Sequence, residues 1–365
     1  GERTRRARRQ GQRNPFGNGG GQGLKFGAAD VREERLETDI TIVEVGPRDG
    51  LQNESCRLPV EERARFIAEL ASAGLREIEA VSFVSPGSVP QMADSTCVMA
   101  LVPRMDGLRH RALVPNRLGM AAAIEAGVDE VAVFASASEM FSMRNINCGI
   151  DESFTRFEPV MEMATAAGIP VRGYLSCCFG CPYEGSVPER AVVAAARRLL
   201  ELGCYEVAVS DTIGIAGPGD VRRLLAGLAV EIDPARTALH LHDTRGQAVA
   251  NVLAGLDAGI RVFDASVGGL GGCPYAPGAT GNLATEELVY LLESLGVPTG
   301  IDLSLLAAAG ARISARLGRR TVSRVARALI ASGALDAEQL TGLDAADSDD
   351  STVRLLATQS TGDAK

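Results

Sequence analysis

The stretch ALHLHDTRG, at 238–246, holds two of the chain's three histidines, His240 and His242, one residue apart. Alternate side chains of an extended strand project to one face, so both imidazoles point the same way, beside an acid, Asp243, and a turn glycine. Such a pair suits a metal ion. Asp49, in GPRDGLQNE at 46–54, supplies a third ligand, and Asn282 adds a neutral oxygen. A mixed nitrogen and oxygen set with room for water fits Mg²⁺ or Mn²⁺, with Zn²⁺ or Co²⁺ as substitutes. The competing use of H-x-H is simple packing inside a core; the nearby acid and the scarcity of histidine elsewhere favour the metal.

The elements that must position these groups are legible as an alternation of short β-branched runs with longer helical stretches. Strand candidates fall at 39–46, 76–83, 109–114, 129–136, 170–176, 205–211, 236–243 and 261–269. Helix candidates follow each in turn, at 60–74, 93–101, 116–127, 151–168, 188–203, 220–232, 247–259 and 282–296. Six of those helices stop at a glycine, the residue that ends helices most readily. Eight βα units with no strand left over predict a closed (βα)8 TIM barrel of the α/β class spanning 37–300. An open doubly wound sheet normally carries a Gly-rich turn after its first strand, and GPRDGLQNE is too charged for that. Residues 301–335 are expected to form extra C-terminal helices.

In such a barrel, chemistry collects where strands end. Those positions hold Arg48, Asp49 and Gln52 after strand one, and Glu79 and Ser82 on strand two. Strand five brings Tyr174 with Cys177, Cys178 and Cys181, strand six Asp211 and Thr212, and strand seven the histidines. After strand eight comes GGLGGCPYAPGATGN, with Cys273 and Asn282. Pro274 stands where a phosphate-binding helix would begin, so this Gly-rich segment is expected to be a hinged lid. By position alone Cys273 is as readily filler as a catalytic thiol. The three cysteines of strand five lack a matched second pair for zinc and are read as structural or pocket lining. Binuclear-zinc hydrolase barrels place H-x-H on the first strand and need further histidines. His110, the only other one, starts strand three at the wrong end.

Composition narrows the classes. A net charge of −9 argues against nucleic acid as partner, no apolar run is long enough to span a bilayer, and eight cysteines without a secretion signal point to reduced thiols. Residues 1–36 begin Arg-rich and run into glycines, a composition expected to be disordered. Residues 336–365 hold seven acids against two bases and are expected to form a flexible tail, with one short helix near 353–357.

VEVGPRDGLQNE (43–54), SFVSP (82–86), VPQMAD (89–94), NINC (145–148), GCPYEG (180–185), GCYE (203–206), DTIG (211–214), HDTRGQA (242–248) and GLGGCPYAPGATGNLATEELVYLLE (269–293) together resemble the hydroxymethylglutaryl-CoA lyase family. The resemblance runs from about residue 40 to about 321. RDG and H-x-H are shared with the isopropylmalate and homocitrate synthases, whereas GGLGGCPYA is narrower. The resemblance implies cleavage of 3-hydroxy-3-methylglutaryl-CoA to acetyl-CoA and acetoacetate, in leucine degradation and ketone-body formation. It implies Asp49, His240, His242 and Asn282 as ligands of a divalent metal cation, Arg48 against a developing oxyanion, and Cys273 as the acid that protonates the enolate. Glu79 is expected to position Asn282 or Arg48. His240 is expected to be the base, with Asp49 as the alternative, and Arg48, Gln52, Ser82, Tyr174 and Thr212 to bind substrate. Ser55 stands where many of these lyases have a Lys, which leaves a longer-branched 3-hydroxyacyl-CoA open as substrate. A condensing synthase, joining acetyl-CoA to a 2-oxo acid, and a non-catalytic barrel scaffold fit the sequence less well. The first lacks its usual long C-terminal domain, and the second would be expected to have lost at least one site residue. A homodimer in the cytoplasm, or in the mitochondrial matrix if the source is eukaryotic, is the expected setting.

Overall fold

The computed structural model describes residues 40–272 and 281–335. Within them the eight expected strands form: β1 Thr41–Glu44, β2 Glu77–Ser82, β3 Arg109–Leu113, β4 Glu130–Ser136, β5 Val171–Ser176, β6 Val207–Asp211, β7 Thr237–Leu241 and β8 Val262–Ala265. All pair in parallel with their sequence neighbours, and β8 pairs with β1, so the sheet closes into the predicted barrel. The helices are α1 Val60–Ser72, α2 Ser95–Leu101, α3 Arg117–Glu125, α4 Glu139–Ile146, α5 Ile150–Ala167, α6 Glu189–Leu202, α7 Pro218–Leu228, α8 Ala248–Asp257, α9 Thr285–Ser294, α10 Leu303–Arg316 and α11 Arg324–Ala331. The last two occupy the region expected to be helical after the barrel.

Two elements differ from the sequence expectation. Helix α4 has no counterpart among the expected helices. Its eight residues are too few for a convincing 3.6-residue period, and it is held by tertiary bonds: Ser138 caps Phe141 N–H at 3.1 Å, and Glu184 accepts from Met140 N–H at 3.0 Å. Strand β8 ends at Ala265 instead of running to 269, because Gly268, at φ +65°, turns the chain into a short 3-10 segment, Val267–Gly269. The expected tails, the helix near 353–357 and the greater part of the expected lid lie outside the described residues.

The barrel wall is sealed by aliphatic contacts between strands and helices, including Ile78, Val131, Leu175, Val209, Leu239 and Phe263. The barrel's inside is different. Small side chains, Ala132, Ala208 and Ala238, leave space there, and ionic groups fill it. Arg111 pairs with Glu77 and Glu130 toward one end, and Arg172 pairs with Glu206 and Asp264 further up. Ions this deeply buried are tolerated only when paired and hydrogen-bonded. The register sets their order, with Ser210 opposite His240 and His240 opposite Asp264.

Candidate metal centre and active site

The site begins in the turn after β1. Residues Gly46–Gly50 form one π-helical turn that carries Arg48 and Asp49 side by side. Its close packing requires small residues: a Cβ at Gly46 would lie 2.5 Å from Glu44 Oε1, and one at Gly50 would lie 2.8 Å from Leu270 Cβ. Glu44 staples the turn to its surroundings. Its Oε1 accepts from Gly46 N–H at 2.8 Å and Val267 N–H at 2.9 Å, and its Oε2 accepts from the Thr285 hydroxyl at 2.6 Å.

Asp49, His240 and His242 present ligand atoms that all lie within 4.8 Å of one another. The two Nε2 atoms are 3.3 Å apart, and His240 Nε2 is 3.9 Å from Asp49 Oδ2. His242 lies one residue past β7 but keeps the strand geometry through a bridge to Asn282, which brings the 281–284 segment alongside. Asn282 donates from Nδ2 to Asp49 Oδ2 at 2.9 Å and to the Leu270 carbonyl at 3.1 Å. With both donations committed, its amide oxygen is the atom left for a cation.

Three observations fit a divalent cation to these residues. The His240 Nδ1 lies 3.1 Å from Asp264 Oδ2, and a carboxylate can only accept, so the ring proton sits on Nδ1 and the lone pair is at Nε2. Burial, with His240 alongside, pushes the His242 ring down to about 4, so that imidazole is a neutral ligand at pH 7. Finally, the ionic cluster is unbalanced. Asp49, Glu79, Asp264 and Glu206 share two guanidinium partners, Arg48 and Arg172, beside the His240 ring. Carboxylates therefore outnumber permanent cations there, and a divalent cation would offset them.

Arg48 is anchored from behind. Its Nε donates to Glu79 Oε2 at 2.7 Å, its Nη2 forms an ion pair with the same oxygen at 2.6 Å, and its Nη1 donates to Asp49 Oδ1 at 2.7 Å. Burial opposes the guanidinium charge, but Glu79 and Asp49 outweigh it and raise the Arg48 pKa. Burial likewise opposes the Asp49 carboxylate, but Arg48 and the histidines hold it down at about 2. The expectation for Glu79 therefore resolves onto Arg48, while Asn282 is held by Asp49 and a backbone carbonyl. Tyr174 donates its hydroxyl to Glu79 Oε2 at 3.3 Å, and the Arg48 guanidinium lies 5.4 Å from its ring centroid.

A cavity of about 730 Å³ opens over this cluster. Arg48, Asp49, Gln52, Tyr174, Thr212, His240 and His242 all line it. Gln52 also donates to Asp49 Oδ1 at 3.2 Å, and Thr212 accepts from Cys177 N–H at 2.8 Å. Ser82 departs from expectation. It is buried, its hydroxyl faces the Leu113 carbonyl at 3.4 Å, and it is not among the residues that line the cavity. Cys177 and Cys181 pack against Phe141, and the Cys178 thiol faces the Leu175 carbonyl, all structural positions as expected. The seven described cysteines are free thiols. Cys273 lies outside the described residues; Gly272, just before it, lines the cavity.

Sequence inspection missed Asp264 and Arg172. Arg172 donates to Asp264 Oδ2 at 3.1 Å, to Tyr174 Oη at 3.0 Å and to Glu206 at 2.7 Å, and its Nη2 pairs with Asp264 Oδ1 at 2.8 Å. The available signal was an acid in the otherwise apolar RVFDASV, and an arginine two residues before Tyr174 on the same strand face. The apolar lining, Leu113, Phe134, Phe141, Ile146 and Phe157, also has no counterpart in the sequence reading.

Comparison with known proteins gives a consistent result. The HMGL-like family model matches residues 39–313. The hydroxymethylglutaryl-CoA lyase of Pseudomonas mevalonii is 56% identical over 295 residues, covering 81% of this chain and 98% of that protein. The 3-hydroxy-3-isohexenylglutaryl-CoA/hydroxymethylglutaryl-CoA lyase of Pseudomonas aeruginosa is 53% identical over 296 residues, covering 81% and 99%. A solved lyase from Acinetobacter baumannii, in complex with coenzyme A and 3-methylmalate, superposes with a TM-score of 0.76 at 38% identity, covering 80% of this chain and 95% of that one.

Proposed function

This chain belongs to the HMGL-like family, and from that premise we propose that it cleaves 3-hydroxy-3-methylglutaryl-CoA to acetyl-CoA and acetoacetate, acting as a carbon–carbon lyase. The observation that carries the assignment is the convergence of Arg48, Asp49, His240 and His242 on one cavity wall in a chain 56% identical to such a lyase. A divalent cation, Mg²⁺ or Mn²⁺, held by Asp49, His240, His242 and Asn282, would polarise the substrate's 3-hydroxyl and lower its pKa.

The protein's own groups account for the remaining steps. The bond that breaks lies β to a thioester carbonyl, so negative charge gathers on that oxygen. Arg48 meets it with a guanidinium already locked by Glu79 and Asp49, so little reorganisation is needed as the charge develops. The 3-hydroxyl proton goes to His240 Nε2, and Asp264 at Nδ1 stabilises the imidazolium that forms. One lone pair cannot ligate and accept a proton at once. Where His240 stays a ligand throughout, Asp49 is the acceptor. Cys273, which follows the cavity-lining Gly272, delivers the proton that quenches the enolate. Gln52, Tyr174 and Thr212 bind and orient substrate. A second copy of the chain is the proposed partner, forming a homodimer, with its mass in solution as the check. Among the described residues no helix is long and apolar enough to cross a membrane, and a cytoplasmic or mitochondrial-matrix setting is proposed.

The experiment is to mix the protein with hydroxymethylglutaryl-CoA and Mg²⁺, with and without chelator, and follow acetoacetate. Release that chelator abolishes supports the assignment; no release under either condition defeats it. A second substrate is favoured by the apolar lining. Leu113, Phe134, Phe141, Ile146 and Phe157 offer far more hydrophobic surface than a single methyl branch uses, and one relative is named for an isohexenyl substrate. A kcat/KM for 3-hydroxy-3-isohexenylglutaryl-CoA within tenfold of that for the methyl substrate supports dual use; no turnover of it restricts the enzyme to the short branch.

A further inference from the structure

We propose that Arg172, acting through Asp264, sets the tautomer of His240 and so aims its Nε2 lone pair into the cation site. Arg172 and Asp264 touch neither substrate nor reacting atoms. They are positioning residues. The inference rests on the metal-centre assignment above and adds to it the pair that makes His240 competent, whether as ligand or as base, because both roles need the lone pair at Nε2.

The geometry is over-determined. Arg172 is fully buried and reaches across the barrel interior from β5 to β8. Its Nε is committed to Glu206 at 2.7 Å, and Nη1 also donates to the Tyr174 hydroxyl at 3.0 Å, so the planar fork cannot rotate. The edge it turns toward Asp264 carries only donors: Nη1 donates to Asp264 Oδ2 at 3.1 Å, and Nη2 forms an ion pair with Oδ1 at 2.8 Å. A carboxylate paired in this way is an acceptor only. The His240 ring meets it at Nδ1, which must be the protonated nitrogen, and the opposite nitrogen points toward His242 Nε2 and Asp49 Oδ2. No other described polar side chain is in hydrogen-bond contact with His240 Nδ1.

Asp264 Oδ2 is the one atom that accepts from both Arg172 Nη1 and His240 Nδ1, each at 3.1 Å. Replacing Asp264 by Leu keeps comparable bulk and removes that acceptor. His240 Nδ1 then has no partner, the proton moves to Nε2, which lies 3.9 Å from Asp49 Oδ2, and the lone pair leaves the cation site. Asp264→Asn is the control: its carbonyl in the place of Oδ2 still accepts from both Arg172 Nη1 and His240 Nδ1–H and keeps the native tautomer.

Three histidines make the measurement practicable. Metal-free protein labelled with ¹⁵N-histidine reports each ring's tautomer in a long-range ¹H–¹⁵N spectrum, and the His240→Gln variant assigns the signal. The expected result is an Nδ1–H ring for His240 in the wild type and in Asp264→Asn, and an Nε2–H ring in Asp264→Leu. Mn²⁺ affinity, read from the electron-spin resonance of free Mn²⁺, is expected to fall about 10- to 100-fold in Asp264→Leu. A wild-type ring protonated at Nε2 overturns the inference without any variant. So does an Asp264→Leu protein that keeps the Nδ1–H ring, an Asp264→Asn protein that loses it, or an Asp264→Leu ring that flips while Mn²⁺ binds unchanged. The wild-type tautomer is read without metal or substrate, so its outcome stays separate from acetoacetate release, which tests the activity itself.

Discussion

Glu79→Gln isolates the anchoring of Arg48. The carboxylate accepts from Arg48 Nε and the Tyr174 hydroxyl and pairs with Arg48 Nη2, all on one oxygen, Oε2, and is completely buried. Glutamine keeps the volume and can still accept through its carbonyl, but it removes the charge. It also places an NH₂ among groups with few acceptors to spare. Hydrogen bonds to charged groups are each worth roughly 1.5–3 kcal/mol, and breaking a buried pair by removing one partner costs about 3–5 kcal/mol. Because one acceptor survives, the lower end applies, about 3 kcal/mol, or a fall in Tm of about 6 °C for a barrel of this size. The effect on catalysis should be larger than on stability. Arg48 retains Asp49 as its only carboxylate partner, so its guanidinium swings toward the cation site and away from the thioester oxygen. Losing one well-placed oxyanion donor costs about 100- to 1,000-fold in kcat. Acetoacetate release at saturating substrate gives kcat, Mn²⁺ titration confirms that the cation site persists, and a melt gives stability. A variant that melts about 6 °C lower yet keeps kcat within threefold of wild type would falsify the positioning role and leave Glu79 as a structural ion alone.

Three further outcomes are expected. Cys273→Ser should lower kcat sharply while metal content stays at the wild-type level; unchanged turnover removes the acid role from the thiol. Burial pushes the Glu44 carboxyl up to about 7, against its three donors. The folded state therefore holds a proton that the unfolded state has released between about pH 4.5 and 7, so the stability this group contributes is present below that window and is lost as pH rises through it. Glu44→Gln keeps both backbone hydrogen bonds at its carbonyl and lets its NH₂ donate to the Thr285 hydroxyl. The variant should match the wild type at pH 4.5 but exceed it at pH 8, by up to about 3 kcal/mol, in paired urea titrations; parallel pH profiles would show that Glu44 does not titrate there. Gly281→Ala should be severe, because φ is +104° and a Cβ would lie 2.1 Å from the Gly271 carbonyl oxygen. It should shift Asn282 and weaken Mn²⁺ binding, and an alanine variant with native affinity would show that the segment before Asn282 adjusts freely.

What the sequence by itself determined was what local periodicity and residue chemistry can carry. Eight β-branched runs alternating with eight helical ones leave little besides a closed parallel barrel, and glycines such as Gly168 and Gly203 mark helix ends where φ is positive. His240, His242, Asp49 and Arg48 were legible because functional groups at strand ends of a barrel converge by construction. The tertiary structure decided the rest, and the physical reason is distance along the chain. Asp264 is 24 residues from His240, and Arg172 is 92 from Asp264, so no local pattern couples them. Only the inter-strand register puts Asp264 opposite His240 and sends Arg172 across the alanine-lined interior to meet it. Ser82 shows the same limit from the other side. A bulge between Glu79 and Val81, invisible to alternation, sets Ser82 beside the cavity-lining Leu113, yet its hydroxyl is buried against the Leu113 carbonyl and off the cavity wall.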